Sequence, residues 1–203
     1  MMRRFTETSL VIATHNAGKL EEFRALLTPY GVTVTGNGDH GLPEPEETED
    51  TFVGNARIKA RAAVAATGLP ALADDSGLEV HDLDGRPGVH TADWAETGSG
   101  RDFDIAMERV QRELQETGKP APHGARFRCT LVLAWPDGHE EVFDGHVEGH
   151  LVWPMRGKKG HGYDPIFVPE GHEQTFAEMD PETKNGLSHR ARAVEKLRLC
   201  LGR

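Results

Sequence analysis

The chain has 203 residues, 37% of them hydrophobic and 28% charged, enough for one domain with a sizeable core and inconsistent with a disordered tail. Its net charge, 23 − 33 = −10, disfavours a nucleic-acid polymer as partner but not a small anion held in a local basic pocket. No apolar run reaches the roughly eighteen residues of a membrane span, and the two cysteines, Cys129 and Cys200, allow neither a disulfide framework nor a thiolate zinc site.

Leu10-Val11-Ile12-Ala13 reads as a short buried strand, too short for a signal peptide's apolar region. The expected location is therefore cytoplasmic, with no membrane partner. The polar loop Thr14–Lys19 leads into a helix over about Leu20–Leu27, with Leu20, Phe23, Leu26 and Leu27 at helical spacing. Val32-Thr33-Val34 alternates as a strand, and residues 36–51 read as a loop rich in Gly, Pro and Glu. A helix over about Thr51–Thr67 carries the stripe Phe52, Ala56, Ala60 and Ala63, with Asn55 and Lys59 four residues apart beside it. Pro70–Ala73 reads as a buried strand that ends at Asp74-Asp75, and residues 82–100 read as loop. A charged amphipathic helix follows over about Asp102–Glu116, then a hairpin of Ala125–Trp135 and Glu140–Val152. A Gly/Lys-rich loop over 154–164, a strand Ile166–Val168 and a helix His189–Leu201 complete the chain. The order predicts an α/β fold, residues 1–203 forming a single domain.

Five segments carry possible chemistry. Asp74-Asp75-Ser76-Gly77 sets two carboxylates side by side at a strand end, an arrangement that Mg²⁺ stabilises and that a solvated turn would also use. Thr14-His15-Asn16-Ala17-Gly18-Lys19 offers helix N-terminal amides and an ammonium to a phosphate; it is not a P-loop, and Asn16 also suits a simple helix cap. The acidic run Glu44–Asp50 is usually a solvated face, although one member could reach a metal. Gly157–Pro165 and Lys184–Arg190 gather glycines, rings and cations, and each also reads as a basic surface. The eleven histidines are scattered, with no HExxH, and read as surface and turn residues.

Taken in order, these blocks resemble the inosine triphosphate pyrophosphatase family. The match runs through Thr14-x-Asn16-x-x-Lys19, Phe52-x-x-Asn55-Ala56-x-x-Lys59-Ala60 and Ala73-Asp74-Asp75-Ser76-Gly77-Leu78. It continues through Gly85-x-Pro87-Gly88, Gly162-Tyr163-Asp164-Pro165-Ile166-Phe167 and Lys184-Asn185-x-x-Ser188-His189-Arg190. The resemblance implies an elongated mixed sheet with flanking helices, two lobes around a cleft, and a homodimer. It implies Mg²⁺-dependent hydrolysis of inosine, deoxyinosine and xanthosine triphosphates to monophosphate and diphosphate, which cleanses the nucleotide pool. Glu46 and Asp75 would hold the metal, and Asp75 would orient or deprotonate the attacking water, with Asp74 in support. A carboxylate beside a metal is a weak base, so the cation has to share the activation of water.

Substrate binding is expected from Thr14, His15, Asn16, Ala17, Gly18 and Lys19, from Asn55, Lys59 and Ser76, and from Lys184. The base would fall to His161, Gly162, Tyr163, Asp164, His189 and Arg190. Two positions depart from the family pattern: His161 stands where Phe is usual, and Asp93 where Arg is usual. Imidazole stacks but is smaller and titrates, so base affinity is expected to depend on pH near roughly 6 to 7. An aspartyl-phosphate phosphatase would need Asp-x-Asp instead of adjacent carboxylates, and a regulatory nucleotide-binding module would bind without turnover.

Overall fold

The structure, a computed structural model, describes residues 2–202. Its elements in chain order are β1 (Ser9–Ile12), α1 (Ala17–Leu27), β2 (Thr33–Gly36), α2 (Phe52–Thr67) and β3 (Ala71–Val80). A small ribbon, β4 (Glu96–Thr97) with β5 (Gly100–Arg101), precedes α3 (Phe103–Thr117). Then come β6 (His123–Ala134), β7 (Glu140–Leu151), β8 (Phe167–Pro169), α4 (Pro181–Leu187) and α5 (His189–Leu201). Six strands form one mixed sheet in the order β2-β1-β3-β6-β7-β8. β1 lies parallel to β2 and β3, with Val11 opposite Ala71, and β8 is antiparallel to β7, with His150 opposite Val168. The α/β expectation holds.

The helices start and stop where the sequence supplies caps. Thr51 accepts from the Gly54 N–H to open α2, and Gly68, at φ 67°, closes it in the left-handed region that glycine adopts without strain. Asp102 caps α3 and Ser188 accepts the Ala191 N–H at the start of α5. The largest departure from the sequence reading is β3. It does not end at Asp74 but runs on to Val80, so Asp74-Asp75-Ser76-Gly77 is mid-strand, not a turn. β3 lies between β1 and β6 in the sheet, with the β1 register covering Ala71 and Leu72, and sheet pairing overrides the low β-propensity of Asp, Ser and Gly. The 36–51 and 82–100 loops also contain short 3₁₀ turns, such as Asn37–His40 and His81–Leu83.

The chain forms two compact units. The first comprises the chain up to Asp75, Thr130–Asp144 and the segment from Ala193 on. Part of its core is built of small residues: Val11, Ala13, Ala56, Ala60, Ala63, Ala71, Ala73, Val132 and Ala134. Alanines at the contact let the α2 backbone approach the sheet closely, so polar groups flanking the stripe reach the strand as well. The second unit, Ser76–Cys129 with Gly145–Arg192, has a core of large side chains including Met107, Leu114, Phe127, Tyr163, Phe167 and Phe176.

Candidate active site

In the first unit, β1 delivers the chain to Thr14 and α1 begins at Ala17. Asn16 is the cap: its Oδ1 accepts the Lys19 N–H at 3.0 Å, and its own N–H donates to Thr14 Oγ1 at 3.1 Å. The first-turn amides of Ala17 and Gly18 have no acceptor within a helix and lie exposed at its N-terminus, a position suited to an anion. His15 is exposed and its Nε2 meets the Leu42 carbonyl at 2.8 Å.

The side chain of Lys19 reaches β3, where its Nζ lies 2.7 Å from Asp74 Oδ2. From α2, Lys59 Nζ lies 2.9 Å from Glu47 Oε1 and 3.9 Å from Asp75 Oδ1. Asn55, one helical turn earlier, is 3% exposed, and its Oδ1 accepts the Glu49 N–H at 2.9 Å. Its amide also hydrogen-bonds the Asp75 carboxylate. Burial pushes Asp75 up from an ordinary 3.8 to about 7; the charges of Glu47 and Asp74 add to the rise, and Lys59 and Asn55 oppose it. Burial alone would lower Lys59, but Asp75, Asp74 and Glu47 hold its ammonium above the usual lysine range.

Glu46 is expected at the metal; it and Glu47 are both exposed, but the loop carboxylate that the fold brings to Lys59 is Glu47. Sequence spacing could not separate the two, because adjacent loop residues differ only in the direction their side chains take. Among the described residues no three His, Cys, Asp or Glu side chains form a ready-made metal cage. Mg²⁺ does not require one, since it keeps several waters and takes one or two carboxylates together with substrate phosphates. The hard oxygens of Glu47 and Asp75 fit that ion, and the energetic disfavour of an ionised Asp75 is what a cation offsets.

In the second unit, Asp164 is 3% exposed, pairs with Lys184 Nζ and accepts the His161 N–H at 2.7 Å. Gly160, at φ 80°, lies so close that a Cβ there would meet Asp164 Oδ2 at 2.0 Å. Lys184 stands on α4, a helix that the sequence reading did not contain, and its partner in the structure is a carboxylate. Tyr163 is buried, its hydroxyl donates to the Thr91 carbonyl at 3.0 Å, and its ring meets Phe103 edge-on. Burial raises that phenol above its ordinary value. The Tyr163 ring is therefore engaged in packing, while His161 is exposed and Gly162 is half-buried at φ 63°. His189 stacks on Phe127, with ring centroids 5.1 Å apart and planes 16° from parallel. Phe127 looks like an ordinary core residue in the sequence and gave no signal of this role. Ser76 and Arg190 are half-buried. The departing residue Asp93 is exposed and pairs with His90 at 2.8 Å, and its neighbour Trp94 lies under Arg109.

Fold and clusters together define an α/β protein with a buried carboxylate–lysine centre suited to a polyphosphate and a divalent cation. Comparison with known proteins narrows that class. The chain matches the model of the Ham1 family over residues 10–199, and it belongs to that family. It is 65% identical over 203 residues to a dITP/XTP pyrophosphatase of Ruegeria pomeroyi, covering 100% of both chains. It is 55% identical to a dITP/XTP pyrophosphatase of Brucella melitensis, covering 96% of this chain and 93% of that one. Among solved structures, a HAM1 protein from Coxiella burnetii superposes with a TM-score of 0.91 at 37% identity, covering 96% of this chain and 98% of that one.

Proposed function

We propose that this chain is a Mg²⁺-dependent pyrophosphatase that hydrolyses inosine, deoxyinosine and xanthosine triphosphates to the monophosphate and diphosphate, cleansing the nucleotide pool. The observation that carries the reading is the centre on β3: Asp75, buried and held near 7, beside Lys59, Lys19, Asp74 and Glu47. The names of the relatives, dITP/XTP pyrophosphatases, support the substrate class.

Glu47 and Asp75 would hold the ion. When bound, Mg²⁺ neutralises triphosphate charge and eases loss of a proton from water. Asp75 orients the water towards the α-phosphorus and accepts its proton. The water oxygen–phosphorus bond forms, the bond from the α-phosphorus to the bridging oxygen breaks, and diphosphate leaves. Lys19, Lys59 and the amides of Ala17 and Gly18 bind the phosphates, so that most of the rate enhancement is positioning and charge stabilisation. The Thr14–Asn16 turn holds those amides in place. Ser76 donates to the nucleotide.

Base choice falls to His161, Gly162, Asp164, Lys184, His189 and Arg190. Hypoxanthine and xanthine present an oxygen at C6 where adenine presents an amino group. A donor aimed at that oxygen faces a donor in adenine, a mismatch costing about 1–3 kcal/mol, or roughly 5- to 150-fold per contact. The active form is a homodimer acting in the cytoplasm; light scattering should return twice the chain mass.

Product analysis tests the reading. Protein is incubated with inosine triphosphate, ATP and GTP plus Mg²⁺, and the products are separated. Inosine monophosphate and diphosphate, with ATP and GTP largely spared, are expected. Nucleoside diphosphate and orthophosphate would reject a pyrophosphatase.

A further inference from the structure

The segment Glu44–Asp50 packs Glu44, Glu46, Glu47, Glu49 and Asp50 into seven consecutive positions. Like charges at that density repel and ordinarily leave a segment extended and mobile. Here one of them has to be delivered to Lys59 in a defined place, so something must hold the loop. The sequence reading assigned Asn55 to the substrate; its contacts give it other work.

We infer that Asn55, with Gly54 beside it, is a positioning residue that docks the acidic loop on the first turns of α2 and so places Glu47 and Asp75 for the cation. This rests on the function proposed above. The Asn55 side chain is used at both ends: Oδ1 accepts the Glu49 N–H at 2.9 Å, and the amide group hydrogen-bonds Asp75. Only an amide of this length offers an acceptor to the loop and a donor to the carboxylate at once. Aspartate would keep the first and set a second charge against Asp75; leucine would lose both.

Gly54 supplies the close approach. A Cβ there would lie 2.6 Å from Glu49 Cβ, 2.8 Å from Glu49 Cγ and 2.9 Å from Thr51 Oγ1. The loop therefore lies against the helix because residue 54 has no side chain. One turn beyond Asn55, Lys59 takes the Glu47 carboxylate, so the loop is pinned on both sides of Thr48.

Three variants, Asn55→Ala, Asn55→Asp and Gly54→Ala, separate loop docking from nucleotide contact. The first measurement needs neither metal nor nucleotide: the rate at which a glutamate-specific endoprotease cuts within residues 44–49. Cleavage should rise about tenfold in Asn55→Ala and Gly54→Ala, the equivalent of one lost net hydrogen bond. The second measurement is diphosphate release from inosine triphosphate against Mg²⁺ concentration. Half-saturation by Mg²⁺ should rise about tenfold, while KM for the nucleotide at saturating Mg²⁺ moves about twofold or less. Asn55→Asp should fall furthest in kcat, since it also adds a like charge. Unchanged cleavage in both docking variants would overturn the inference, and so would an effect confined to the nucleotide KM. Should Asn55→Ala fail to fold, Gly54→Ala reads the same loop with Asn55 intact. A wild-type protein that released no diphosphate would sink the proposed function, yet the protease assay would still report on docking.

Discussion

In the first unit three carboxylates, Glu47, Asp74 and Asp75, are grouped around two ammonium groups, Lys19 and Lys59; in the second, Asp164 meets Lys184 one to one and also takes a backbone N–H. The surroundings differ in the same sense. The first cluster stands on an alanine-lined helix and a strand, with Asp75 held near 7. The second stands beside an aromatic group, Phe127, Phe167, Phe176 and the ring of His189. An excess of negative charge around two buried carboxylates costs stability unless a cation offsets it. The Asp164–Lys184 pair carries no such excess, and the Phe176 ring lies beside its ammonium. The first cluster therefore fits the proposed chemistry and the second the proposed discrimination, and each can be tested by removing what makes it distinctive.

The largest effect is expected at Asp75. Asp75→Asn should lower kcat for inosine triphosphate by about 10²–10⁴-fold, the usual loss for a positioned proton acceptor. The same change should stabilise the fold. A carboxyl raised from 3.8 to about 7 binds its proton more tightly in the folded state, so wild-type stability falls as pH rises between those values and stays low above them. Without Mg²⁺ at pH 8, Asp75→Asn should therefore melt several degrees higher than wild type, at about 2–4 °C per kcal/mol for a chain of this size. The gap should close towards pH 4. A variant that is inactive and also less stable at pH 8 would show that Asp75 is better compensated than its surroundings imply.

Lys184→Met probes the balanced pair. It leaves Asp164, 3% exposed, without its cation, and urea unfolding should show a loss of about 3 kcal/mol. Asp164→Asn in the same chain should recover part of it. A loss below about 1 kcal/mol would place the pair with ordinary surface ion pairs.

The predictability of these two clusters from sequence was unequal. Helices α2 and α5 were legible almost to the residue, because α2 has an alanine stripe between Thr51 and Gly68 and α5 follows Ser188. Asp74 and Asp75 were legible as a pair but not as mid-strand residues, since the apolar signal of β3 lapses at Asp74 while sheet pairing does not. Helix α4 gives no signal because Pro181-Glu182-Thr183-Lys184-Asn185-Gly186 has no apolar periodicity and includes the weak helix former Gly186. Glu47 and Phe127 were invisible for a deeper reason: their roles depend on which neighbour the folded chain brings to them. Asn55 stands out in the sequence as a substrate residue, but its hydrogen bond with Glu49 is a contact that no spacing rule connects to it.

Smaller effects should follow in the second cluster. Phe127→Leu removes the ring beneath His189, an aromatic contact worth about 0.5–1.5 kcal/mol beyond its area. KM for inosine triphosphate should rise severalfold with kcat little changed; a fall in kcat alone would move His189 from recognition to chemistry. Smallest is His161→Phe. His161 is exposed beside Gly162, and phenylalanine, larger and apolar, should shift KM for inosine triphosphate about twofold with kcat unchanged. Identical KM in wild type and variant would remove His161 from the base site.

The central claim is that the β3 carboxylate centre directs water to the α-phosphorus. Turnover of inosine triphosphate in ¹⁸O-labelled water tests this most directly. One label should appear in inosine monophosphate and none in diphosphate; label in diphosphate or orthophosphate would place the attack on another phosphorus and contradict the account.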